Sequence, residues 1–149
     1  VIKDKVNSNI ATEKKKPYVV ALLLCHTGIR VSELCDLTWE DVNSDYIVIK
    51  KGKGDKLRQV PLSDDANFCF NWLDEKYPSK KYVLETAGGK QYYRQYVNYM
   101  IKKLNAKYHP HLFRHTFATI LMRRNVDVKR IQTILGHSSV NITMNIYMH

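Results

Sequence analysis

From Tyr18 to Cys25 nearly every position is apolar, which predicts a helix buried on all faces rather than one with a solvent side. Gly28 supplies its stop, because glycine takes the left-handed backbone that closes a helix at no steric cost. A second helix is expected from about Ile29, with Val31, Leu34 and Leu37 inward and Arg30 in its first turn. The period of the pattern then changes. Tyr46 to Lys50 and Leu57 to Leu62 are short runs rich in β-branched residues, and between them lies Lys51-Gly52-Lys53-Gly54-Asp55-Lys56. This predicts a β-hairpin. Trp39 to Val42 is a candidate third strand. Ser63 is a good N-cap for a helix running to about Lys76, with Asp64 and Asp65 in its first turn and Phe68, Trp72 and Leu73 inward. Pro78 ends it.

Tyr82 to Leu84 reads as a short extended segment, and Gly88-Gly89 breaks the chain before a helix from Gln91 to Leu104. There Tyr93, Val97, Met100, Ile101 and Leu104 keep helical spacing, and Tyr93, Tyr96 and Tyr99 are expected to pack. Pro110 opens a helix through Arg123, Asp127 caps one running to Leu135, and Ser138 or Ser139 starts the last. The fold class is mainly α with a small antiparallel β-sheet (α+β). Residues 1–16 are polar and Lys-rich and are expected to be a remnant or linker, which leaves 17–149 as one domain.

The chain has 149 residues, enough for one core and not for two large ones. It opens on Val1 and is expected to be part of a longer protein. Its net charge of +10 favours a polyanionic partner, because binding a nucleic acid releases condensed counterions. The apolar run Tyr18–Cys25 is far short of the roughly 20 residues that cross a bilayer, so no membrane partner is expected. Cys25, Cys35 and Cys69 are odd in number, lack C-x-x-C spacing and read as buried free thiols.

The candidate chemistry lies mostly in the last third. His111 and Arg114 stand three apart on a helix and share a face, from which an arginine fork and an imidazole can reach one phosphate. Arg30 follows a glycine turn at a helix start, where backbone N–H groups favour an anion, and Glu33 is one turn on. Lys53 sits between two glycines at a hairpin tip, where a lysine can close over a substrate as a proton donor. His137 follows Gly136 at the end of a helix, and Tyr147 shares a face with Val140, Thr143 and Met144. Each also has a plain reading: surface charge for Arg30, Lys53 and the His111/Arg114 pair, a capping histidine, a core tyrosine. Lys56, Lys90, Gln91 and Arg94 are candidate phosphate contacts by position. A zinc site from His109, His111, His115, His137 and His149 lacks metal-type spacing, so no metal or cofactor is expected.

The strings TGIRVSEL, KGKGDKLRQVPL, HLFRHTFATIL and LGHSSVNITMNIY, in this order, resemble those of the tyrosine recombinases, the phage-integrase family. The resemblance covers nearly the whole chain from about residue 18. It implies the catalytic domain of that family, with Arg30 and Arg114 as catalytic arginines, Lys53 as the hairpin lysine and His111 and His137 as catalytic histidines. It makes Glu33 the supporting acid and Tyr147 the nucleophile. It further implies a double-stranded DNA partner, a 3′-phosphotyrosine intermediate, a bacterial cytoplasmic protein that meets the nucleoid through DNA, and a tetramer of the full-length protein on DNA. With the family's N-terminal domain and C-terminal segment missing, the chain alone is expected to be monomeric and Tyr147 to lie in a mobile or displaced segment. The alternatives are a type IB topoisomerase-like enzyme and a non-catalytic DNA-binding module.

Overall fold

The computed structural model describes residues 2–8, 11–50 and 57–147. Its elements run α1 (Ile2–Val6), α2 (Thr12–Thr27), α3 (Val31–Asp36), a 3-10 turn (Trp39–Asp41), β1 (Tyr46–Lys50), β2 (Leu57–Pro61), α4 (Asp64–Lys76), α5 (Arg94–Leu104), α6 (Pro110–Arg123), α7 (Val128–Leu135) and α8 (Val140–Tyr147). The apolar helix α2 is the axis of the core and packs against α1, α4, α5 and α6. Val19, Val20, Ala21, Leu23 and Leu24 are each at most 1% exposed, as an all-round apolar helix requires. β1 and β2 form one antiparallel pair in which Ile47 faces Val60 and Ile49 faces Arg58, so Ile47, Ile49 and Val60 enter the core.

Several boundaries differ from expectation, each for a local reason. The 1–16 stretch is not set apart. Val6 of α1 is 2% exposed, and α2 starts at Thr12 and continues through Pro17. Lys16 is accommodated because its ammonium lies 4.0 Å and 4.7 Å from the ring centroids of Tyr77 and Tyr92 and donates to the Tyr92 hydroxyl. Burial holds that ammonium down to about 8. Arg30 is the N-cap of α3 rather than a member of its first turn. Trp39–Asp41 winds as a 3-10 turn, not a strand, with Thr38 Oγ1 donating to Asp41 Oδ2 at 3.0 Å; on either side of it Thr38 bridges Tyr82 and Val42 bridges Ile47.

Ser63 caps α4 as expected, its Oγ accepting the Ala66 N–H at 3.2 Å. Cys69 and Phe70 are buried with Trp72 and Leu73, whereas Phe68 is half-buried. The helix expected from Gln91 begins only at Arg94. Gln91 stays extended in a bridge with Glu85, and the Tyr92 N–H donates to Leu84 O at 3.3 Å. Tyr93 is the N-cap, and the helix phase that sends Val97, Met100 and Ile101 inward leaves Tyr93, Tyr96 and Tyr99 77%, 50% and 55% exposed. Cys35 and Cys69 are buried, while Cys25 is half-buried. Among the described residues no helix is long and apolar enough to cross a membrane. The hairpin loop with Lys53 and Lys56 lies outside the described residues.

Candidate active site

Three helix junctions converge on one open cleft of about 750 Å³. Arg30 enters from the turn between α2 and α3, His111 and Arg114 from the first turns of α6, and His137 from the turn between α7 and α8. Arg94, Gln95 and Asn98 of α5 form the facing wall. Arg30, His111, Arg114 and His137 thus share one basic concavity, although they come from three separate stretches of sequence.

Glycine turns make the convergence possible. Gly28 ends α2 at φ 66°, and a Cβ there would lie 2.2 Å from Cδ2 of Phe117 on α6. The close approach of α6 brings Arg114 to the α2 terminus. Its Nη1 donates to Gly28 O at 2.6 Å, and its Nη2 donates to Leu135 O at the end of α7. Carbonyls at helix C-termini lack intrahelical donors and carry the negative end of the dipole, so a buried guanidinium suits them. Arg114 is 9% exposed. With five N–H groups and two so engaged, it keeps three with no protein partner among the described residues.

Glu33 is the acid that holds the cationic groups in register. Its Oε1 accepts the Arg30 N–H at 2.8 Å, closing the start of α3, and its Oε2 lies 3.5 Å from Arg30 Nη1. The same carboxylate takes a two-point grip from Arg58 of β2, with Nη1 to Oε2 at 2.5 Å and Nη2 to Oε1 at 2.9 Å. Arg58 Nε then donates to Ile134 O at 2.8 Å. Burial pushes the Glu33 carboxyl up, but the bonds from Arg58 and the Arg30 N–H and the two guanidinium charges outweigh it, so it sits below the usual carboxylate range. Arg58 was not among the residues expected from sequence. The signal was there: in Leu57-Arg58-Gln59-Val60 it alternates onto the buried face with Val60, where a charge requires a partner.

Burial first, and then the charge of Arg30, draw the Arg114 guanidinium down to about 10, with Glu33 opposing and Arg58 adding; it remains charged at neutral pH. Burial, followed by Arg114, Arg30 and Arg58, holds the His137 imidazole down at about 4. The cleft therefore offers charged arginines and a neutral histidine at pH 7. His137 Nδ1 lies 2.7 Å from Oγ1 of Thr143, which is 0% exposed. His111 is exposed in the first turn of α6, and the helix start is closed by His109, whose Nδ1 accepts the Leu112 N–H at 3.2 Å.

The remaining candidates divide. The Tyr147 backbone closes α8, which packs against α6 and α7, the helices that place His111, Arg114 and His137. Its side chain lies outside the described residues, as do Lys53 and Lys56. Leu57 and Arg58, where the hairpin loop re-enters β2, border His137 and Ser138. Arg94 lines the cleft; Lys90 and Gln91 do not. Lys90 is exposed, with its N–H donating to Thr86 Oγ1, and Gln91 Nε2 donates to Asp36 Oδ1 at 3.2 Å. Among the described residues no three His, Cys, Asp or Glu side chains gather to hold a metal ion.

The chain is 40% identical over 139 residues to a tyrosine recombinase of Agathobacter rectalis, an alignment covering 85% of this chain and 45% of that protein. Its structure superposes on the crystal structure of XerA recombinase with a TM-score of 0.81 at 32% identity, covering 99% of this chain and 56% of that one. It is also similar to XerH site-specific recombinase bound to difH substrate in a pre-cleavage complex, with a TM-score of 0.74, 25% identity, and 99% and 47% coverage. The chain spans about half the length of the curated relatives it matches, 45% and 50% in two of them. The phage integrase family model matches residues 3–149, and the chain belongs to that family.

Proposed function

We propose that this chain is the catalytic domain of a tyrosine-type site-specific DNA recombinase, with double-stranded DNA as its substrate. The observation that carries the reading is the gathering of Arg30, His111, Arg114 and His137 in one cleft beside the helix that ends at Tyr147. In the reaction, the Tyr147 phenol attacks the scissile phosphorus in line, forming a phosphotyrosine bond to the 3′ end and breaking the bond to the 5′ oxygen. His111 takes up the phenol proton, and Lys53 gives a proton to the departing 5′ oxygen, which leaves as a hydroxyl. Arg30 and Arg114 bind the non-bridging oxygens, and His137 donates a hydrogen bond to the same anion. Reversal with a new 5′ hydroxyl rejoins a different strand, since the phosphodiester energy is kept in the covalent link. The longer protein acts as a tetramer on DNA, and the chain alone is a monomer.

A pool of nicked duplexes with randomised flanks tests this whatever the recognition sequence. Denaturant-stable protein–DNA adducts are isolated and sequenced. The wild-type chain is expected to form them, Tyr147→Phe to form none while folding normally, and chelator to leave the yield unchanged. Adducts on the Phe variant, or loss with chelator, would overturn the assignment.

A further inference from the structure

We infer that Thr143 is a positioning residue: its hydroxyl donates to His137 Nδ1, fixes the ring as the Nε2–H tautomer, and ties it to the helix that ends at Tyr147. The inference rests on the function proposed above. The geometry is a 2.7 Å separation between Oγ1 and Nδ1, with Thr143 fully buried.

The direction of that bond follows from a comparison within the molecule. Thr27, Thr116, Thr119 and Thr133 also lie in helices, and each donates its hydroxyl to the carbonyl four residues back. That is the ordinary outlet for a helical threonine proton. Among the described residues Thr143 has no such carbonyl bond; its hydroxyl meets His137 Nδ1 instead. A buried hydroxyl gives up its proton where an acceptor exists. Nδ1 therefore accepts, and the ring proton resides on Nε2. Burial and the surrounding charges of Arg114 from α6, Arg30 from the α3 N-cap and Arg58 from β2 keep the ring neutral, so one nitrogen must accept. His137 lines the cleft, and the Nε2–H form makes it a donor to a bound anion.

Thr143 also lies one helical turn before Tyr147, on the element that packs against α6 and α7. The hydrogen bond makes the donor state of the anion site depend on the seating of the nucleophile's helix. A displaced α8 leaves Nδ1 without its partner and frees the imidazole to turn.

Nitrogen-15 NMR of the chain's histidines at pH 7 reads the tautomer directly. Wild-type His137 is expected to show a protonated Nε2 and a bare Nδ1, and a proton on Nδ1 would overturn the inference. Inorganic phosphate is the anion probe. Thr143→Val keeps the β-branched shape and removes the hydroxyl; it is expected to bind phosphate about fivefold more weakly, the equivalent of one ordinary hydrogen bond, and to melt only a few degrees lower. Thr143→Ser restores the donor and is expected to restore phosphate binding. Equal phosphate affinity in all three proteins would overturn the inference, and so would a Ser variant that behaves like Val. Should the Val variant fail to fold, the wild-type tautomer and the Ser variant still decide. The nicked-duplex assay stands apart: no adduct from wild type defeats the proposed function, while the tautomer result still judges Thr143.

Discussion

Glu33 and Arg58 show how one buried pair fixes several functional groups. The Arg58 side chain is 7% exposed and that of Glu33 12%, and the carboxylate also closes the N-cap that carries Arg30. Removing one partner of such a pair leaves an uncompensated charge inside, which costs more than the pair contributes. Glu33→Gln keeps the shape and an acceptor for the Arg30 N–H but deletes the charge. It is expected to destabilise the fold by roughly 3 kcal/mol, and urea unfolding of the variant beside the wild type measures it. The sign with pH follows from the lowered carboxyl. Its stabilisation is fully present above the ordinary carboxylate range and is lost as pH falls through the folded value below it. The Gln variant should lack that acid-dependent part of the loss. At this scale the sequence was half legible. Spacing and a place beside glycine turns or a helix start make Arg30, His111, Arg114 and His137 candidates, and the resemblance of the motif strings is what groups them. Arg58 is not, because its partner stands in another element and only the folded hairpin brings the two together. Thr143 is hidden for the same reason, since a helical threonine carries no signal until a histidine stands beside it.

Helix ends, rather than helix faces, build the cleft. Gly28 and Gly136 end α2 and α7 in the left-handed conformation, and Arg114 spans the two resulting carbonyl termini. A side chain at Gly28 meets a ring wedged into the core: a Cβ would stand 2.2 Å, 2.8 Å and 2.8 Å from three Phe117 carbons. At Gly136 a Cβ meets the arm of Arg58 at 3.0 Å and 3.1 Å, which is flexible enough to give way. Gly28→Ala combines a left-handed penalty with overpacking and is expected to cost about 2–5 kcal/mol. Gly136→Ala should cost less, because the Arg58 arm needs to yield only a few tenths of an ångström and can keep its grip on Glu33. Denaturation midpoints of the two variants check the ranking, and equal losses would show that the Phe117 contact is not limiting. The glycine stop at Gly28 and the Pro110 start were readable because each reflects a backbone rule local to a few residues. The start of α5 was not. Whether Gln91 to Tyr93 wind or extend is decided by the pairing of Gln91 with Glu85 and of Tyr92 with Leu84, which no local propensity encodes. The three tyrosines, expected to pack, are exposed because Val97, Met100 and Ile101 take the inner face.

For the whole molecule, the net charge of +10 attracts a polyanion, but the cleft concentrates the effect at one histidine. In the free chain, burial and the charges of Arg114, Arg30 and Arg58 hold His137 at about 4. Folding alone therefore favours the neutral ring. Its contribution to stability is complete above the ordinary histidine value of about 6.5 and is lost as pH falls through the folded value. A phosphate in the cleft acts in the opposite direction, because its negative charge offsets the three guanidinium groups and raises the His137 value in the complex. Under the proposed function, binding then takes up a proton as pH falls from neutral toward about 4, and affinity for DNA is expected to rise with it. The decisive comparison is with His137→Gln. Fluorescence anisotropy of a labelled duplex at pH 5 and pH 7, at equal ionic strength, is expected to show a steeper pH response in the wild type than in the Gln variant. Raising salt should weaken both proteins alike, because counterion release depends on the other cationic contacts that the variant keeps. Equal pH slopes would mean that His137 does not meet the phosphate in the complex, and the place of this histidine in the anion site would have to be given up.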